Sequence, residues 1–357
     1  MTATLMLPFT LGRLTLPNRV VMSPMTRSRS PGNVPSELVP TYYAQRASAG
    51  LIITEGTAPS PDGLGYPRIP GVYSDEQVRG WRAVTDAVHA AGGRIFVQLM
   101  HTGRIGHPLN LPAGARLLAP SAIAAPGTMY TDAEGPQPHP VPEAMTEDDI
   151  AAAIAGFAHA ATQAIAAGFD GVELHGANGY LLEQFLSQAS NQRTDAWGGT
   201  VAGRVRFPLA VARAVAQAIG ADRLGMRVSP YGVNGGLTDD PETEAVHVAL
   251  AHGLGELGLA YLHVVDHSAM GAPALPATIK PALRAAFRGA LILAGGYDAA
   301  RAEADLVEGK ADLIAFGRPF ISNPRLVAKL RDGAPLVPPD LSKSFTPGPD
   351  GYLDYPV

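Results

Sequence analysis

The chain contains no cysteine. That excludes disulfides, thiolate metal sites, iron–sulfur clusters and a cysteine nucleophile, so its chemistry must come from other side chains or from a cofactor. Charge is also scarce. Charged residues make up 17% of the 357 residues and the formal net charge is -5. No run of Lys or Arg is present to track a phosphate backbone or an anionic surface, which sets nucleic acid and membrane aside as partners. Long apolar runs are missing too. The longest weakly polar stretch, Ile150 to Phe169, is interrupted by His159, Thr162 and Gln163 and is rich in Ala rather than Leu, as in a packed helix and not a membrane span. Met1 to Pro8 has no basic residue ahead of its apolar part and is cut short by Pro8. No secretory signal is expected, and the chain is read as cytoplasmic.

What the chain does have is apolar residues, 46% of the total, enough for a large core. They fall into short β-rich runs that alternate with longer Ala/Leu segments of helical period, the pattern of βα units on a parallel sheet. The runs are Arg19–Ser23, Leu51–Thr54, Ile95–Leu99, Gly171–Leu174, Leu224–Val228, Tyr261–Val265, Leu291–Ala294 and Leu313–Phe316. Helix-like segments lie near Glu37–Ala47, Asp75–Ala91, Glu147–Ala167, Ala202–Ile219, Pro241–Leu257, Pro276–Phe287, Asp298–Glu308 and Pro324–Arg331. Eight of each predict an α/β fold of the TIM-barrel type, (β/α)8, as one domain over residues 1–357. Leu5–Leu16 reads as an N-terminal capping hairpin. Residues 103–146, rich in Pro and Gly after the third strand, are too long for an ordinary βα connection and predict a lid-like insertion over the active face.

In such a barrel the catalytic groups sit where strands end. The last two runs lead into Gly295-Gly296 and Gly317-Arg318, bare backbone and a guanidinium at the usual phosphate site of the fold. Either glycine pair alone could equally make a tight turn; with Arg318 the phosphate reading is preferred. Arg227 stands inside an apolar run, where an unpaired cation is strongly unfavourable, so it needs an anionic partner in the barrel mouth. A structural carboxylate or the N1/O2 edge of a reduced flavin would serve. Gln98 could donate to and accept from a flavin pyrimidine edge, or could be a satisfied core glutamine. The fourth run ends in His175-Gly-Ala-Asn178-Gly-Tyr180, which gathers an imidazole, a carboxamide and a phenol. His175 and Asn178 could both donate to one substrate oxygen while Tyr180 supplies a proton. No pair of histidines has metal-ligand spacing in this segment, and no metal site is expected.

The segment from His175 through Tyr180-Leu-Leu-Glu-Gln-Phe-Leu resembles the old yellow enzyme family of FMN-dependent ene-reductases. So do Asn18-Arg-Val through Ser23-Pro-Met-Thr-Arg27, Thr54-Glu-Gly-Thr-Ala58, Gln98-Leu99 and Gly317-Arg-Pro-Phe-Ile-Ser-Asn-Pro324. The likeness runs from Pro8 to Tyr355. It implies that FMN is lined by Pro24, Met25 and Thr26, touched by the backbone of Ala58, met at its pyrimidine edge by Gln98 and at N1/O2 by Arg227, and held at its phosphate by Gly295, Gly296, Gly317 and Arg318. Thr26, where another subgroup carries Cys, implies the yeast-like and plant-like branch. The implied reaction is ping-pong: NADPH or NADH reduces the flavin and leaves, and an activated alkene then takes the same pocket. His175 and Asn178 polarise its carbonyl or nitro group, and Tyr180 protonates the α-carbon to give net trans addition. Two departures stand out. Met100 and Thr346 occupy positions where many relatives carry Trp and Tyr, so a roomier substrate pocket is expected, with Tyr66 as one wall.

Two other classes remain in view. A phosphate-sugar isomerase or aldolase barrel would use the same glycines but needs a Lys or Glu base at a strand end; no lysine lies in or directly after the eight runs, although Glu55 and Glu173 are available. A flavoprotein that binds phenols or steroids without turnover is the third. Monomer and homodimer, and NADPH and NADH, are left open at this point.

Overall fold

A computed structural model describes residues 3–357; Met1 and Thr2, the start of the stretch read against a secretory signal, lie outside the described residues. Eight parallel strands close a barrel in sequential order. They are β1 (Val20–Met22), β2 (Leu51–Thr57), β3 (Ile95–Leu99), β4 (Gly171–Gly176), β5 (Leu224–Val228), β6 (Tyr261–Val265), β7 (Ala290–Ala294) and β8 (Leu313–Phe316), with β8 paired back to β1. Every predicted run is a barrel strand. The helices are α1 (Leu38–Ala44), α2 (Asp75–Ala90), α3 (Glu147–Ala166), α4 (Leu181–Leu186), α5 (Val201–Ile219), α6 (Thr243–Glu256), α7 (Ile279–Ala286), α8 (Ala299–Val307), α9 (Arg318–Ser322) and α10 (Leu326–Asp332).

Side chains alternate across each strand, so one barrel has two cores. Val21, Leu51, Ile53, Phe96, Tyr261, Ile292 and Leu313 form an inner cluster, while Val20, Ile52, Val97, Leu262 and Ile314 face the helices in an outer one. The helix starts are legible in chemistry. Ser74 with Gln77, and Thr146 with Asp149, form capping boxes at α2 and α3; Thr200 and Asp298 cap α5 and α8 with single side-chain bonds. Two helices escaped the sequence reading, α4 and α9. At six and five residues they carry too few turns to show a period, and segments so short are stable only through the contacts around them.

The predicted hairpin is present, as Phe9–Leu11 paired antiparallel with Leu14–Leu16. Leu11 and Leu16 join the inner cluster, and Arg13 pairs with Asp222 just ahead of β5, so the hairpin lies where the strands begin. The insertion contains a second hairpin that the sequence did not announce, Thr128–Thr131 with Gly135–Pro138. Its Met129 packs with Met100 and Tyr180. No helix among the described residues is long and apolar enough to cross a membrane.

Three buried arginines bring distant chain to the same end of the barrel. Arg29 donates to the backbone oxygens of Lys343, Ser344, Gly348 and Asp350 and to the Thr346 hydroxyl, and Arg27 to those of Ser344 and Gly351. Arg46 binds the carbonyls of Phe320 and Ile321. Charge-assisted bonds to carbonyls satisfy the guanidinium donors of Arg27 and Arg29 and fix the C-terminal segment beside the strand ends. Tyr352 from that segment stacks on Tyr42 with centroids 4.0 Å apart.

Candidate active site

At the C-terminal ends of the strands lies a cleft of about 960 Å³. The turn after β4 supplies its polar wall. His175 ends in the inner-facing register opposite Arg227. The Ala177 N–H donates to His175 Nδ1 at 3.3 Å, which leaves the ring proton on Nε2. Burial, and next the charge of Arg227, push this imidazole well below its usual range, so it is neutral. Nε2 then lies 3.4 Å from Asn178 Nδ2, two N–H donors side by side and able to share one acceptor oxygen. Tyr180 packs edge-on against His175, with centroids 4.8 Å apart, and its hydroxyl donates to that of Tyr66 at 3.0 Å. Burial, followed by its proximity to Tyr66, holds the Tyr180 phenol well above its ordinary value.

The floor is a buried polar network. Gln98 Nε2 donates to Glu173 Oε1 at 2.8 Å, and His263 Nδ1 donates to Glu173 Oε2 at 2.9 Å. This fixes the Gln98 amide and leaves its oxygen as an acceptor. Arg227 sits between His175 and His263 in the register and faces the cleft. It is 7% exposed, its Nε has no partner, and it makes no ion pair among the described residues. The carboxylate predicted as its bland alternative is therefore not in contact. Glu173 and Glu183 stabilise its charge from a distance, while burial lowers its pKa. A planar cation with its donors turned into a cleft suits an anionic planar edge such as that of a reduced flavin.

At the other end, Gly295, Gly296, Gly317 and Arg318 line the cleft. Gly295 (φ 130°) and Gly296 (φ 62°) adopt backbone that side chains rarely tolerate, and a Cβ at Gly295 would strike the Asp266 carbonyl. Gly317 is different. The nearest atom to a Cβ there would be Met25 Sδ at 3.7 Å, so this glycine keeps open a cradle that a side chain would fill. The exposed Arg318 side chain makes no hydrogen bond or ion pair among the described residues. These features fit a phosphate, and with Arg227 and Gln98 they fit the two ends of FMN.

Of the residues singled out from the sequence, Pro24, Met25, Thr26, Gln98, Met100, His175, Asn178, Tyr180, Arg227, Gly295, Gly296, Gly317 and Arg318 line this one cleft. Three do not. Ala58 is fully buried behind it, its N–H given to the Pro70 carbonyl and its own carbonyl taken by Val72. A register shift in β2 between Ile53 and Gly56 brings Gly56 to the cleft instead. Tyr66 stands behind Tyr180. Thr346 does not face the pocket as expected: its hydroxyl donates to the Lys343 carbonyl at 3.0 Å and accepts from Arg29 at 3.1 Å, and Phe345 lines the cleft in its place. His267, Tyr297 and Leu336 to Pro339 also line it and were missed. His267 carried a signal, standing two residues past β6. The Leu336 segment carried none, because only its packing against the strand ends makes it a wall.

Fold and site together define a barrel oxidoreductase built around a flavin nucleotide. The model of the NADH:flavin oxidoreductase / NADH oxidase family matches residues 4–336. Chanoclavine-I aldehyde reductase of Penicillium roqueforti is 45% identical, over 98% of this chain and 95% of that protein. A probable flavin mononucleotide-dependent alkene reductase of Leishmania infantum is 41% identical, over 98% and 96%. Among solved structures, morphinone reductase superposes with a TM-score of 0.95 at 46% identity, covering 99% of this chain and 96% of that one. The old yellow enzyme homologue of Zymomonas mobilis also reaches 0.95, at 40% identity and 99% coverage of both chains. The chain belongs to the NADH:flavin oxidoreductase / NADH oxidase family. It is an FMN-dependent enzyme that draws its reducing equivalents from a nicotinamide nucleotide.

Proposed function

We propose that the enzyme is an ene-reductase that reduces the activated C=C bond of α,β-unsaturated carbonyl compounds and nitroalkenes. The carrying observation is the pair of neutral N–H donors, His175 Nε2 and Asn178 Nδ2, 3.4 Å apart beside the Tyr180 phenol. Two donors on one carbonyl or nitro oxygen withdraw electron density from the conjugated double bond and stabilise the enolate- or nitronate-like charge that hydride addition creates. Bound FMN would supply that hydride after taking it from NADH or NADPH. Tyr180, kept protonated by its buried setting, hands its proton to the α-carbon from the opposite face, which gives net trans addition. One cleft serves both reactants in turn, a ping-pong order. Pro24, Met25, Thr26, Gln98, Arg227 and the phosphate glycines hold the cofactor. The whole chain is one domain, with residues 103–146 as a lid whose Met129 reaches the cluster behind the pocket.

A sugar-phosphate isomerase is disfavoured by the carboxylates. Glu173 is bonded to Gln98 and His263, and Glu55 accepts the Arg27 N–H away from the cleft. Glu173 has both oxygens engaged, and Glu55 keeps one oxygen unpartnered but does not line the cleft, so neither is placed to take a proton from a substrate there. The test is the visible spectrum of the purified protein under anaerobic conditions. A flavin band that bleaches with NADH or NADPH and returns with 2-cyclohexenone is the expected result; bleaching without return would leave a flavoprotein of another specificity.

Pocket shape gives a second prediction. Met100 is 1% exposed, and its thioether fills the space a Cβ at Gly56 would need. The flexible side chain has folded into a glycine notch, and Phe345 supplies an aromatic wall opposite to the expectation drawn from Thr346. Met100→Trp, which cannot fold into that notch in the same way, is expected to narrow the pocket and change the product enantiomer ratio for a 2-substituted cyclohexenone. Chiral chromatography showing the wild-type ratio and rate would refute this.

A further inference from the structure

The turn that carries the donor pair is held by a carboxyl group with no part in the chemistry above. Asn178 and Gly179 have φ values of 61° and 81°. A left-handed turn of this kind persists at a non-glycine residue only where neighbours hold it. The backbone bonds of the turn show what does. The Asn178 N–H donates to Ser229 Oγ at 2.9 Å, the Ser229 hydroxyl donates to Glu183 Oε1 at 2.5 Å, and the Gly179 N–H donates to Glu183 Oε2 at 2.5 Å. Gln184 Nε2 donates to the Gly179 carbonyl at 2.7 Å. Consecutive side chains of α4 therefore grip both backbone groups of Gly179.

Glu183 is the third residue of α4, which starts after Tyr180 without a side-chain cap. From there it reaches back past the helix start, much as the acidic member of a capping box does. Ser229 follows β5 and stands two residues after Arg227, so the bond also ties the β4 turn to the strand that carries the cleft cation. Glu183 is 3% exposed and meets no cation within ion-pair distance among the described residues. A buried carboxylate without one is unfavourable, and burial raises its pKa to about 7 against the pull of its two donors. A small cavity beside it, lined also by Asp240, Thr243 and His247, has about 20 Å³, room for about one water.

We propose that Glu183, acting partly through Ser229, is a positioning residue that sets the Asn178–Gly179 turn and so aims Asn178 Nδ2 alongside His175 Nε2 at one substrate oxygen. The proposal rests on the donor roles assigned above. Its test is a double-mutant cycle on the oxidised, FMN-loaded enzyme, titrated calorimetrically with 2-cyclohexenone, with FMN content and Tm measured alongside. Glu183→Met leaves both donors without an acceptor and is expected to weaken enone binding about tenfold. In an Asn178→Ala background the same change is expected to cost less than about twofold, because the group it aims is gone. Glu183→Gln, which keeps one acceptor, recovers part of the loss.

Equal losses in both backgrounds, or no loss in the wild-type background, would overturn the proposal. If Glu183→Met does not fold, Ser229→Ala enters the same cycle under the same criterion. An Asn178→Ala enzyme that binds the enone like wild type would overturn the donor assignment itself, and this proposal with it.

Discussion

Replacing His175 with Leu, or Asn178 with Ala, is expected to lower kcat for 2-cyclohexenone by about 10²–10³-fold, the usual cost of removing one donor from a site where negative charge develops. Stopped-flow reoxidation of the reduced enzyme by the enone checks it directly. The FMN content should stay at the wild-type level, since neither side chain is needed at the phosphate end or at Arg227. The double variant should lose less than the product of the single losses, because two donors sharing one oxygen act as a unit. Protonation gives a further check. Burial, and next the charge of Arg227, hold His175 well below the usual histidine range, so the ring is neutral at pH 7. An NMR titration of the His175 ring is expected to show no protonation near the usual histidine pKa of about 6.5, and a ring that protonates there would not be in the environment described. A loss of less than about threefold in either single variant would remove that residue from the reaction.

Arg227→Met is expected to act in opposite directions on stability and on cofactor binding. In the apoprotein the guanidinium is buried with its Nε unpartnered and without an ion pair. Removing it relieves an uncompensated charge, and an apolar side chain of similar length fills the same space, so the apoprotein should melt at a higher temperature than wild type. With FMN the order reverses. The variant lacks the cation that β5 directs into the cleft, and its FMN Kd should rise by at least about 10²-fold, as when one partner of a buried, charge-assisted hydrogen bond is removed. Residual bound flavin should be harder to reduce, because a cation beside the N1/O2 edge favours the anionic reduced form. Thermal melts of apo and FMN-loaded protein, fluorescence titration and a redox titration read all three. A lower apo Tm with unchanged FMN affinity would make Arg227 a structural residue.

The site was legible in the sequence to the extent that it sits on regular structure. Gln98, His175 and Arg227 stand on or at the ends of strands, where a period of two fixes which side chains point inward and the parallel barrel fixes which end is open. Glu173 obeys the same alternation, and only the fold shows that it bridges Gln98 to His263 across the barrel interior. Ala58 was misplaced because of the irregular register in β2. A shift of that kind moves the inward position while leaving the residue types unchanged. At the C-terminal segment the exchange of Thr346 for Phe345 has a similar origin. No periodicity governs Ser344 to Thr346, and Arg29, 317 residues away in sequence, turns the threonine hydroxyl inward onto the protein.

By itself, then, the sequence determined the eight βα units, the family and the kinds of chemical group available, because strand alternation, helical period and capping are encoded among near neighbours. The tertiary structure decided which atoms of those groups are free. Arg227 has its donors open because no carboxylate comes within reach, Gln98 presents its oxygen because Glu173 holds its nitrogen, and Asn178 points beside His175 because Glu183 and Ser229 hold the turn beneath it. Each of these is settled by partners on other strands or in other loops, and a local pattern carries no record of them.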